Sequence, residues 1–222
     1  MKIDILESSL GFEQAIGAMR NSWSQYANRA DSKVVDGKFV VGPADKELIR
    51  KLIVAGPSHR KFLRMIFCYA NITAPFYWWK QFDTHRYGVE KISESTMHSI
   101  LVKPFEAVDF EPLDISDEVI KGKYDSYMNV AIAELNSMRN RAFESEDRGI
   151  RKQCEKAIYH MLPDSYLQKR TVCMSYESMF NMYCLRHGHK LGEWKEFCDA
   201  IMDIPEFKLI CTDIIDNDTD EE

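Results

Sequence analysis

The sequence lacks the features of a membrane or secreted protein. It has no apolar run near the roughly 20 residues that a membrane-spanning helix needs, and its first residues, MKIDILESSL, are interrupted by acidic side chains. A signal peptide is therefore not expected. The six cysteines show no CxxC spacing and stand mostly in apolar surroundings. We interpret them as reduced core residues of a cytoplasmic protein and predict neither a disulfide framework nor a metal site.

Common catalytic and nucleotide-binding motifs are missing as well. The sequence contains no GxGxxG, no P-loop, no GxSxG and no HExxH, which disfavours the common nucleotide folds. The net charge of -6 and the pI near 5.6 argue against broad, non-specific nucleic-acid binding. A small phosphate pocket is still compatible with this charge, because it needs only two or three local cations.

The composition is that of a globular protein. The 222 residues are 45% hydrophobic and 29% charged, which suits one domain that buries about 70% of its unfolded surface. No internal repeat is present. The sequence predicts a helix-rich α/β or α+β domain with a small mixed sheet over residues 1–211, followed by an acidic, solvated tail over 212–222.

The first half of the chain predicts short elements of both kinds. KIDILES alternates apolar and polar residues and predicts an opening strand, and the apolar residues after Gly11 share one helical face. The run KFLRMIFCYANI leans towards a strand. Two more helices are predicted, one stopped by Gly56-Pro57 and one begun by Pro75. The ranges are a loop over 28–42, helices over 43–55 and 75–83, a strand within 61–72, and a loop after Gly88.

The second half predicts mainly helices. A long helix begins near Ser116, whose hydroxyl would cap it, and carries an apolar face that includes Met128 and Leu135. Three more helices are predicted over 150–161, 165–186 and 192–202. The strands are therefore expected to come from the first hundred or so residues.

The stretch WWKQFDTHRYGVEKISESTMH, residues 78–98, has the contents of a binding site. Gln81 and His85 stand four residues apart, so on a helix they share a face, and Arg86 follows directly. A Gln side chain can read an amide-type ring edge, and an Arg fork fits phosphate. The same spacing also fits a partly exposed helix end whose polar groups face water.

Neighbouring residues are further candidates, each with a structural alternative. Ser93 and Ser95 could donate to phosphate oxygens or cap a following turn. His59 could stack on a ring or cap a loop. Trp78 and Trp79 could stack on a planar cofactor or pack in the core.

A second candidate cation lies far along the chain. Arg186 ends a predicted helix, five residues after Asn181. The helix dipole stabilises a cation in the last turn and would alone account for Arg186. The alternative hypothesis is that cations near positions 86 and 186 converge on one cleft shaped for flat rings.

These motifs resemble those of the flavin-dependent thymidylate synthases. That family has a His-containing loop, a strand, Ala-Pro, a helix ending in Gln-x-x-Arg-His-Arg and a Ser-rich segment. Here His59, the run 61–72, Ala74-Pro75, Gln81 and THR at 84–86 stand in the same order. LPDSYLQKRTVCMSYESMFNMYCLR resembles the family's Leu-Pro segment, its helix with Asn-x-Arg and its downstream Arg. The resemblance spans nearly the whole chain.

The resemblance implies a homotetramer that binds FAD and dUMP at subunit interfaces. Family members take a one-carbon unit from methylenetetrahydrofolate and reduce it with flavin hydride from NADPH, so dTMP is the implied product. Arg186 would be the catalytic residue that holds the dUMP base, because a nearby cation stabilises a developing anion. The implied FAD-contacting residues are His59, Thr84, His85, Arg86 and Asn181, and the other implied substrate-binding residues are Gln81, Ser93 and Ser95.

The sequence departs from the family pattern where phosphate is met. The first Arg of Arg-His-Arg is Thr84, the Arg before Leu-Pro is Tyr159, and Asn-x-Arg is Ser175-Tyr176-Glu177. A charged hydrogen bond contributes about 1.5–3 kcal/mol. Losing three would cost about 5–9 kcal/mol, or roughly four to six powers of ten in affinity. Either other cations substitute, or the ligand differs.

Two classes of function are open from the sequence. The first is a divergent flavin-dependent thymidylate synthase-like enzyme that acts on dUMP or another pyrimidine nucleotide. The second is a non-catalytic descendant of that fold, which would serve as a scaffold or as a pyrimidine-nucleotide binder. We predict the enzyme, on the ordered match of His59, Gln81, His85, Arg86, Asn181 and Arg186.

Overall fold

The computed structural model describes residues 1–21 and 29–218, and the side chains of all of these except 97, 98 and 212–218. In these ranges the strands are β1 (Lys2–Leu10), β2 (Lys33–Val35), β3 (Lys38–Val40), β4 (Phe67–Pro75), β5 (Val89–Ser93) and β6 (Leu167–Ser175). The helices are α1 (Phe12–Ala18), α2 (Pro43–Val54), α3 (Phe76–Phe82), α4 (Thr96–Ser99), α5 (Glu118–Glu144), α6 (Arg148–Met161), α7 (Tyr176–Arg186), α8 (Gly192–Met202) and α9 (Pro205–Asp218). Two short 3-10 turns cover Lys61–Met65 and Ala107–Asp109.

The predicted helix-rich fold with a small sheet is confirmed. The described residues form a four-stranded sheet in the order β1, β4, β6, β5, and a separate two-stranded hairpin of β2 and β3. The hairpin lies inside the predicted loop 28–42, so that prediction is wrong in part. Its turn residues Asp36 and Gly37 have φ angles of 50° and 75°, as a tight hairpin turn demands. Asp36-Gly37 between Val35 and Phe39 is a hairpin signal that the loop prediction overlooked.

The predicted helix over 165–186 is wrong in its first half. Residues 167–175 form β6, which lies between β4 and β5 in the sheet. Gln168, Val172 and Met174 are buried at a spacing of two or a multiple of two, which is the period of a strand. Pairing with two neighbouring strands therefore decides the structure here, and the helical pattern begins only at Tyr176.

The segment after Gly88 is regular as well, contrary to the predicted loop. It forms the edge strand β5 and the single turn α4. Gly88 has a φ angle of 65°, and its carbonyl accepts a hydrogen bond of 2.8 Å from the Ser175 amide. Further along, the Glu94 amide donates to the Lys169 carbonyl at 2.9 Å. These pairings place the segment beside β6.

Both long central strands end directly in a helix. Pro75 closes β4 and is the N-cap of α3, with φ -70° and ψ 155°. Ser175 closes β6 and is the N-cap of α7, with φ -71° and ψ 152°. The Ser175 hydroxyl accepts from the Ser178 amide at 3.3 Å, which satisfies one of the unpaired donors of the helix start. Such junctions present the first turn of a helix at the end of a strand.

The chain divides into two compact units. Unit 1 comprises residues 1–2, 72–84 and 92–170, and the remaining described residues belong to unit 2. The single domain over 1–211 stays a prediction. The predicted tail overlaps α9, whose helical backbone extends to Asp218, and residues 219–222 lie outside the described residues.

Unit 1 is built around the helices α5 and α6, which pack on each other. Asp117, and not Ser116, is the N-cap of α5 and accepts from the amides of Val119 and Ile120. Leu135 and Ile158 are fully buried in the core of this unit. A hydrophobic cluster with aromatic and aliphatic members fills it, including Ile100, Phe105, Phe110, Met128 and Cys154.

Unit 2 contains the helices that carry most of the candidate site. α7 packs on the 3-10 turn Lys61–Met65 and on α8, and α8 packs on α9. Trp194, Phe197 and Phe207 are fully buried. The Tyr176 hydroxyl donates to the Ser8 carbonyl at 2.8 Å and its ring meets Phe207 edge-on. The aromatic core therefore fixes the first turn of α7.

The cysteines are free, and Cys68, Cys154, Cys198 and Cys211 are buried. Cys184 is exposed, unlike the core residues that the sequence predicted. Among the helices in the described part of the chain, none combines the length and the apolar character that crossing a membrane requires.

Candidate functional site

His85, Arg186 and Trp194 meet in unit 2, and we call them the arginine–tryptophan cluster. The guanidinium carbon of Arg186 lies 4.9 Å from the centroid of the Trp194 ring. The His85 ring meets the same indole edge-on, with ring centroids 5.9 Å apart. The structure thus brings together two predicted site residues from distant parts of the sequence.

Two nitrogens of this cluster are buried and make no hydrogen bond within the described part of the chain. Arg186 Nε and His85 Nε2 have no hydrogen-bond partner among the described residues. A buried polar group left unpaired costs about 1–3 kcal/mol, so native structures rarely leave two side by side without a reason. These two nitrogens make the cluster a candidate site for a ligand with hydrogen-bonding groups.

The charge of the cluster resides on Arg186. Burial, and second the positive charge of Arg186, lower the pKa of His85 from its ordinary value of 6.5. His85 is therefore neutral at pH 7, with one ring nitrogen that donates and one that accepts. With one neutral imidazole and one cation, the cluster is suited to bind a polar or anionic ring system and is poorly suited to bind a cationic ligand.

The local sequence explains how Arg186 reaches this position. It occupies the last turn of α7, where the helix dipole favours a cation. His189 Nδ1 accepts from the Leu191 amide at 3.2 Å and so shapes the turn into α8. Trp194 then comes from the first turn of α8 and is fully buried. Trp194 is not among the residues predicted from the sequence, although a tryptophan just after the turn HGHKLG was the available signal.

A second group of charged residues lies at the other end of α7, and we call it the arginine–glutamate cluster: Arg60, Arg64, Glu177 and Asn181. Arg64 donates through Nε and Nη2 to the two carboxylate oxygens of Glu177, with 3.2 Å for the Nη2 bond. Arg60 Nε lies 3.7 Å from Glu177 Oε1, and Arg60 Nη2 donates to Asn181 Oδ1 at 2.9 Å. Glu177 also raises the pKa of Arg64.

Helical spacing and the 3-10 turn assemble this cluster. Glu177 and Asn181 stand four residues apart on α7 and share a face. The guanidinium carbon of Arg60 lies 4.5 Å from the Phe180 ring centroid, and Arg64 Nη2 also donates to the Pro57 carbonyl at 3.2 Å. Asn181 was predicted as a site residue, whereas Arg60 and Arg64 were not. Their spacing of four in HRKFLR was the only local signal.

A cavity of about 500 Å³ opens beside the arginine–glutamate cluster. Arg64, Glu177 and Asn181 line it together with the aromatic rings of Phe67 and Tyr87. Tyr87 is 94% exposed, so its ring is available to a ligand. This volume lies in the range of small-molecule sites, and the lining combines flat rings with two charges and an amide.

Gly88 allows the chain to approach α7 at the edge of this cavity. A Cβ atom at Gly88 would lie 2.8 Å from Ser178 Oγ and closer still to Ser175 Oγ. The Ser178 hydroxyl donates to the Tyr87 carbonyl. The missing side chain of Gly88 thus allows the close approach, and the bond from Ser178 holds the backbone at Tyr87, directly after the predicted site residues His85 and Arg86.

The structure places two other predicted residues of unit 2 on the surface. His59 is exposed and lines a separate cavity of about 220 Å³ with apolar neighbours that include Leu52 and Phe62. Arg86 is exposed as well. Neither belongs to the two clusters described above, and their predicted contacts with FAD stay predictions.

Gln81 and Thr84 belong to unit 1, at the end of α3. The Thr84 hydroxyl donates to the Gln81 carbonyl at 2.7 Å, and the Thr84 amide donates to the same carbonyl at 3.1 Å. Thr84 thus ends helix α3. The family pattern has an arginine at this position. Gln81 is partly exposed. Its predicted role at the dUMP base stays a prediction.

The two predicted serines also belong to unit 1. Ser93 is exposed on β5, and Ser95 is the N-cap of α4, although its side chain makes no capping hydrogen bond. Ser95 lines a cavity of about 460 Å³ that also contains Lys103 and Tyr166. The structure thus supplies the turn that the capping alternative required, and it leaves the Ser95 hydroxyl at a cavity.

Three aromatic residues serve as packing in unit 1. Trp78 and Trp79 are buried, and Trp79 Nε1 donates to the Gln168 carbonyl at 2.9 Å. The core-packing alternative is therefore confirmed for both tryptophans. Tyr159, at the position of a family arginine, packs against the hydrophobic cluster of unit 1, and burial raises its pKa.

The residues of unit 2 fit part of a flavin nucleotide. Arg60 Nε is buried and lacks a hydrogen-bond partner among the described residues, and the arginine–glutamate cluster carries a net charge of about +1 from two arginines and one carboxylate. Guanidinium groups bind phosphate, and exposed aromatic rings stack on flat ring systems. Arg60, Arg64, Asn181 and Tyr87 could therefore hold an anionic, ring-bearing cofactor.

No protein-family model matches the sequence, and no curated protein matches it. Solved structures, in contrast, match it over nearly the whole chain. The flavin-dependent thymidylate synthase ThyX of Helicobacter pylori, solved with FAD and dUMP, is 18% identical, with a TM-score of 0.62 over 92% of this chain and 93% of its own. The UMP/dUMP methylase PolB of Streptomyces cacaoi, bound with 5-Br dUMP, is 15% identical, with a TM-score of 0.62 over 95% of this chain and 94% of its own.

The chain therefore has the fold of the flavin-dependent thymidylate synthases and of the related nucleotide methylase. A second PolB structure, bound with 5-Br UMP, gives a TM-score of 0.61 at 14% identity, over 95% of this chain and 93% of its own. The resemblance that the motifs indicated is confirmed at the level of the fold.

Proposed function

We propose that this chain is an enzyme of the flavin-dependent thymidylate synthase type, which methylates a pyrimidine nucleotide with the help of bound FAD. The arginine–tryptophan cluster is the observation that carries the proposal. His85 and Arg186, which the motifs singled out, both lie against Trp194, and each has a buried nitrogen without a hydrogen-bond partner among the described residues.

The substrate that we propose is dUMP or UMP. The ThyX neighbour was solved with FAD and dUMP, and PolB is a UMP/dUMP methylase. The resemblance adds methylenetetrahydrofolate as the one-carbon donor, NADPH as the reductant and a homotetramer as the working assembly. We include these three as parts of the proposal.

Each residue of the cluster has a chemical role in this proposal. Arg186 would hold the pyrimidine ring and stabilise negative charge that develops on it, because a fixed cation in a buried site favours the anion. Neutral His85 would donate or accept one hydrogen bond at the ring edge. Bound FAD would supply the hydride. Trp194 keeps water away from the guanidinium face, since it is fully buried beneath it.

The proposal is tested first by the colour of the purified protein. Absorption between about 350 and 500 nm, before and after incubation with FAD, is expected to show bound flavin. Release of tritium from C5 of labelled dUMP and of labelled UMP then tests turnover. A protein that stays colourless with FAD and releases no tritium would refute the proposal.

The Arg186→Ala variant sharpens this test, with Arg148→Ala as the matched control. Arg148 is an exposed arginine at the start of α6 in unit 1. Arg186→Ala is expected to abolish tritium release and to leave the fold and the oligomeric state intact. An active Arg186→Ala variant would show that another cation holds the base.

A second candidate function has an observation of its own in favour. Glu177 stands where the resemblance predicts an arginine, and Tyr159 replaces another with a packed aromatic ring. These changes favour a pyrimidine-nucleotide binder or a scaffold without turnover. A nucleotide binder would bind dUMP or UMP in calorimetry, and a scaffold would form the proposed homotetramer. Neither would show flavin bands or tritium release.

A further inference from the structure

The arginine–glutamate cluster reverses the charges that the family pattern would place here. The resemblance predicts a cation at position 177 on α7, and the chain has Glu177 there. The two guanidinium groups beside it come from the other side, from Arg60 and from Arg64 in the 3-10 turn Lys61–Met65. The cation is therefore present, but on a different element.

We propose that Arg64, held in place by Glu177, binds a phosphate group of the flavin nucleotide in the 500 Å³ cavity, and so takes over the role of the missing cation at position 177. The inference rests on the proposed function, because that function makes FAD the ligand. It concerns a binding residue that the sequence motifs do not identify.

The hydrogen-bond inventory of Arg64 supports this role. A guanidinium has five N–H donors. Arg64 uses Nε and Nη2 for Glu177 and the Pro57 carbonyl, and its Nη1 donates to no residue in the described part of the chain. The side chain is 51% exposed, whereas Glu177 is 14% exposed. The free edge of the guanidinium is thus on the accessible side of the pair.

Glu177 has the function of a positioning residue in this arrangement. Two arginines that approach each other repel, and the carboxylate between them offsets that repulsion. Because Glu177 is one charge against two, the cluster keeps a net charge of about +1. Asn181 fixes Arg60 through a 2.9 Å bond, which leaves Arg64 as the more exposed of the two cations.

Binding of FAD and of riboflavin to the same variants tests the inference, because riboflavin has the flavin ring but no phosphate. Affinities are measured by the quenching of flavin fluorescence. In Arg64→Gln, FAD affinity is expected to fall by about 10- to 100-fold, the effect of one charged hydrogen bond. Riboflavin affinity is expected to change by less than about twofold. Lys46→Gln, an exposed cation on α2 of the same unit, is the control and should change neither.

A second variant separates binding from folding. Arg64→Lys keeps the charge and loses the planar fork, so it should fold and show a smaller loss of FAD affinity than Arg64→Gln. Circular dichroism and thermal unfolding confirm that each variant is folded.

The outcomes are distinct. If the wild-type protein binds FAD, and folded Arg64→Gln and Arg64→Lys lose FAD and riboflavin affinity equally or not at all, the inference is wrong and the proposed function stands. If the wild-type protein binds neither FAD nor riboflavin, the proposed function and the inference both fail. A selective loss of FAD affinity establishes Arg64 as the phosphate-binding residue.

Discussion

Replacing Arg186 by Gln should raise the pKa of His85. The guanidinium carbon of Arg186 and the His85 ring lie 4.9 and 5.9 Å from the Trp194 ring, so the two groups are at most about 11 Å apart. Coulomb's law then gives a repulsion of at least about 0.4 kcal/mol in a water-like medium, and about 1.5 kcal/mol at an effective dielectric constant near 20. The repulsion opposes protonation of His85, and Gln removes it. Burial, the larger cause of the lowered pKa, is unchanged by this substitution.

The measurement is a titration of the imidazole resonances by NMR at low salt, with His85→Asn used to assign the signal. The pH dependence of stability gives an independent check. Because the pKa of His85 is lower in the folded than in the unfolded protein, the unfolded chain binds more protons near and below pH 6.5. The free energy of unfolding should therefore fall as the pH decreases through that range, and less steeply in Arg186→Gln. A pKa of His85 that stays the same or falls in the variant would refute the proximity of the two groups.

Two further substitutions test how the fold supports the site. Asp45→Ala should lower the free energy of unfolding by about 3–5 kcal/mol, because it leaves the buried guanidinium of Arg20 without its 2.6 Å partner. Glu47→Ala, on the exposed side of the same helix, should cost far less in denaturant titrations, and equal losses would contradict the assigned role of the ion pair. Gly88→Ala should destabilise by more than the roughly 1–3 kcal/mol of backbone strain alone, since its Cβ would also clash with Ser175 and Ser178. Gly37→Ala has a similar positive φ in open space and measures the strain alone, so Gly88→Ala must be the more harmful of the two.

The pKa of Asp45 adds a pH dependence to the first of these substitutions. Burial would raise the pKa of Asp45, but hydrogen bonds from Ser32 and Arg20 outweigh it, and the net effect lowers the pKa from 3.8. The stability that this carboxylate contributes is therefore present above about pH 4 and lost as the pH falls below it. In Asp45→Ala this acid-induced loss should be smaller.

Local signals allowed several elements to be predicted closely. Helix α2 begins at Pro43 and ends before Gly56, as the proline and glycine signals indicated. Helix α8 occupies the predicted residues 192–202, and the Pro75 junction begins α3. These predictions succeeded because proline, glycine and an apolar face at helical spacing act within a few residues.

Elements that depend on distant partners were predicted less well. The helical assignment of β6 failed, because β4 and β5 pair with that segment from far along the chain. The edge strand β5 and the hairpin of β2 and β3 were predicted as loops, because strands of only three to five residues give a short pattern and depend on pairing with a neighbour. The motif order nevertheless led to the correct fold, because it does not depend on assigning each element.

For the candidate site, the sequence by itself determined which residue types were available: His85, Asn181 and Arg186 in a recognisable order, and a glutamate where a cation was expected. Only the tertiary structure decided what those residues touch. It set Trp194 beneath Arg186, and it brought Arg60 and Arg64 to Glu177 from a turn more than a hundred residues away. Opposite charges stabilise each other only when they lie within a few ångströms. The order of residues in the sequence does not give the distance between side chains that stand far apart in the chain, so these pairs become visible only in the folded structure.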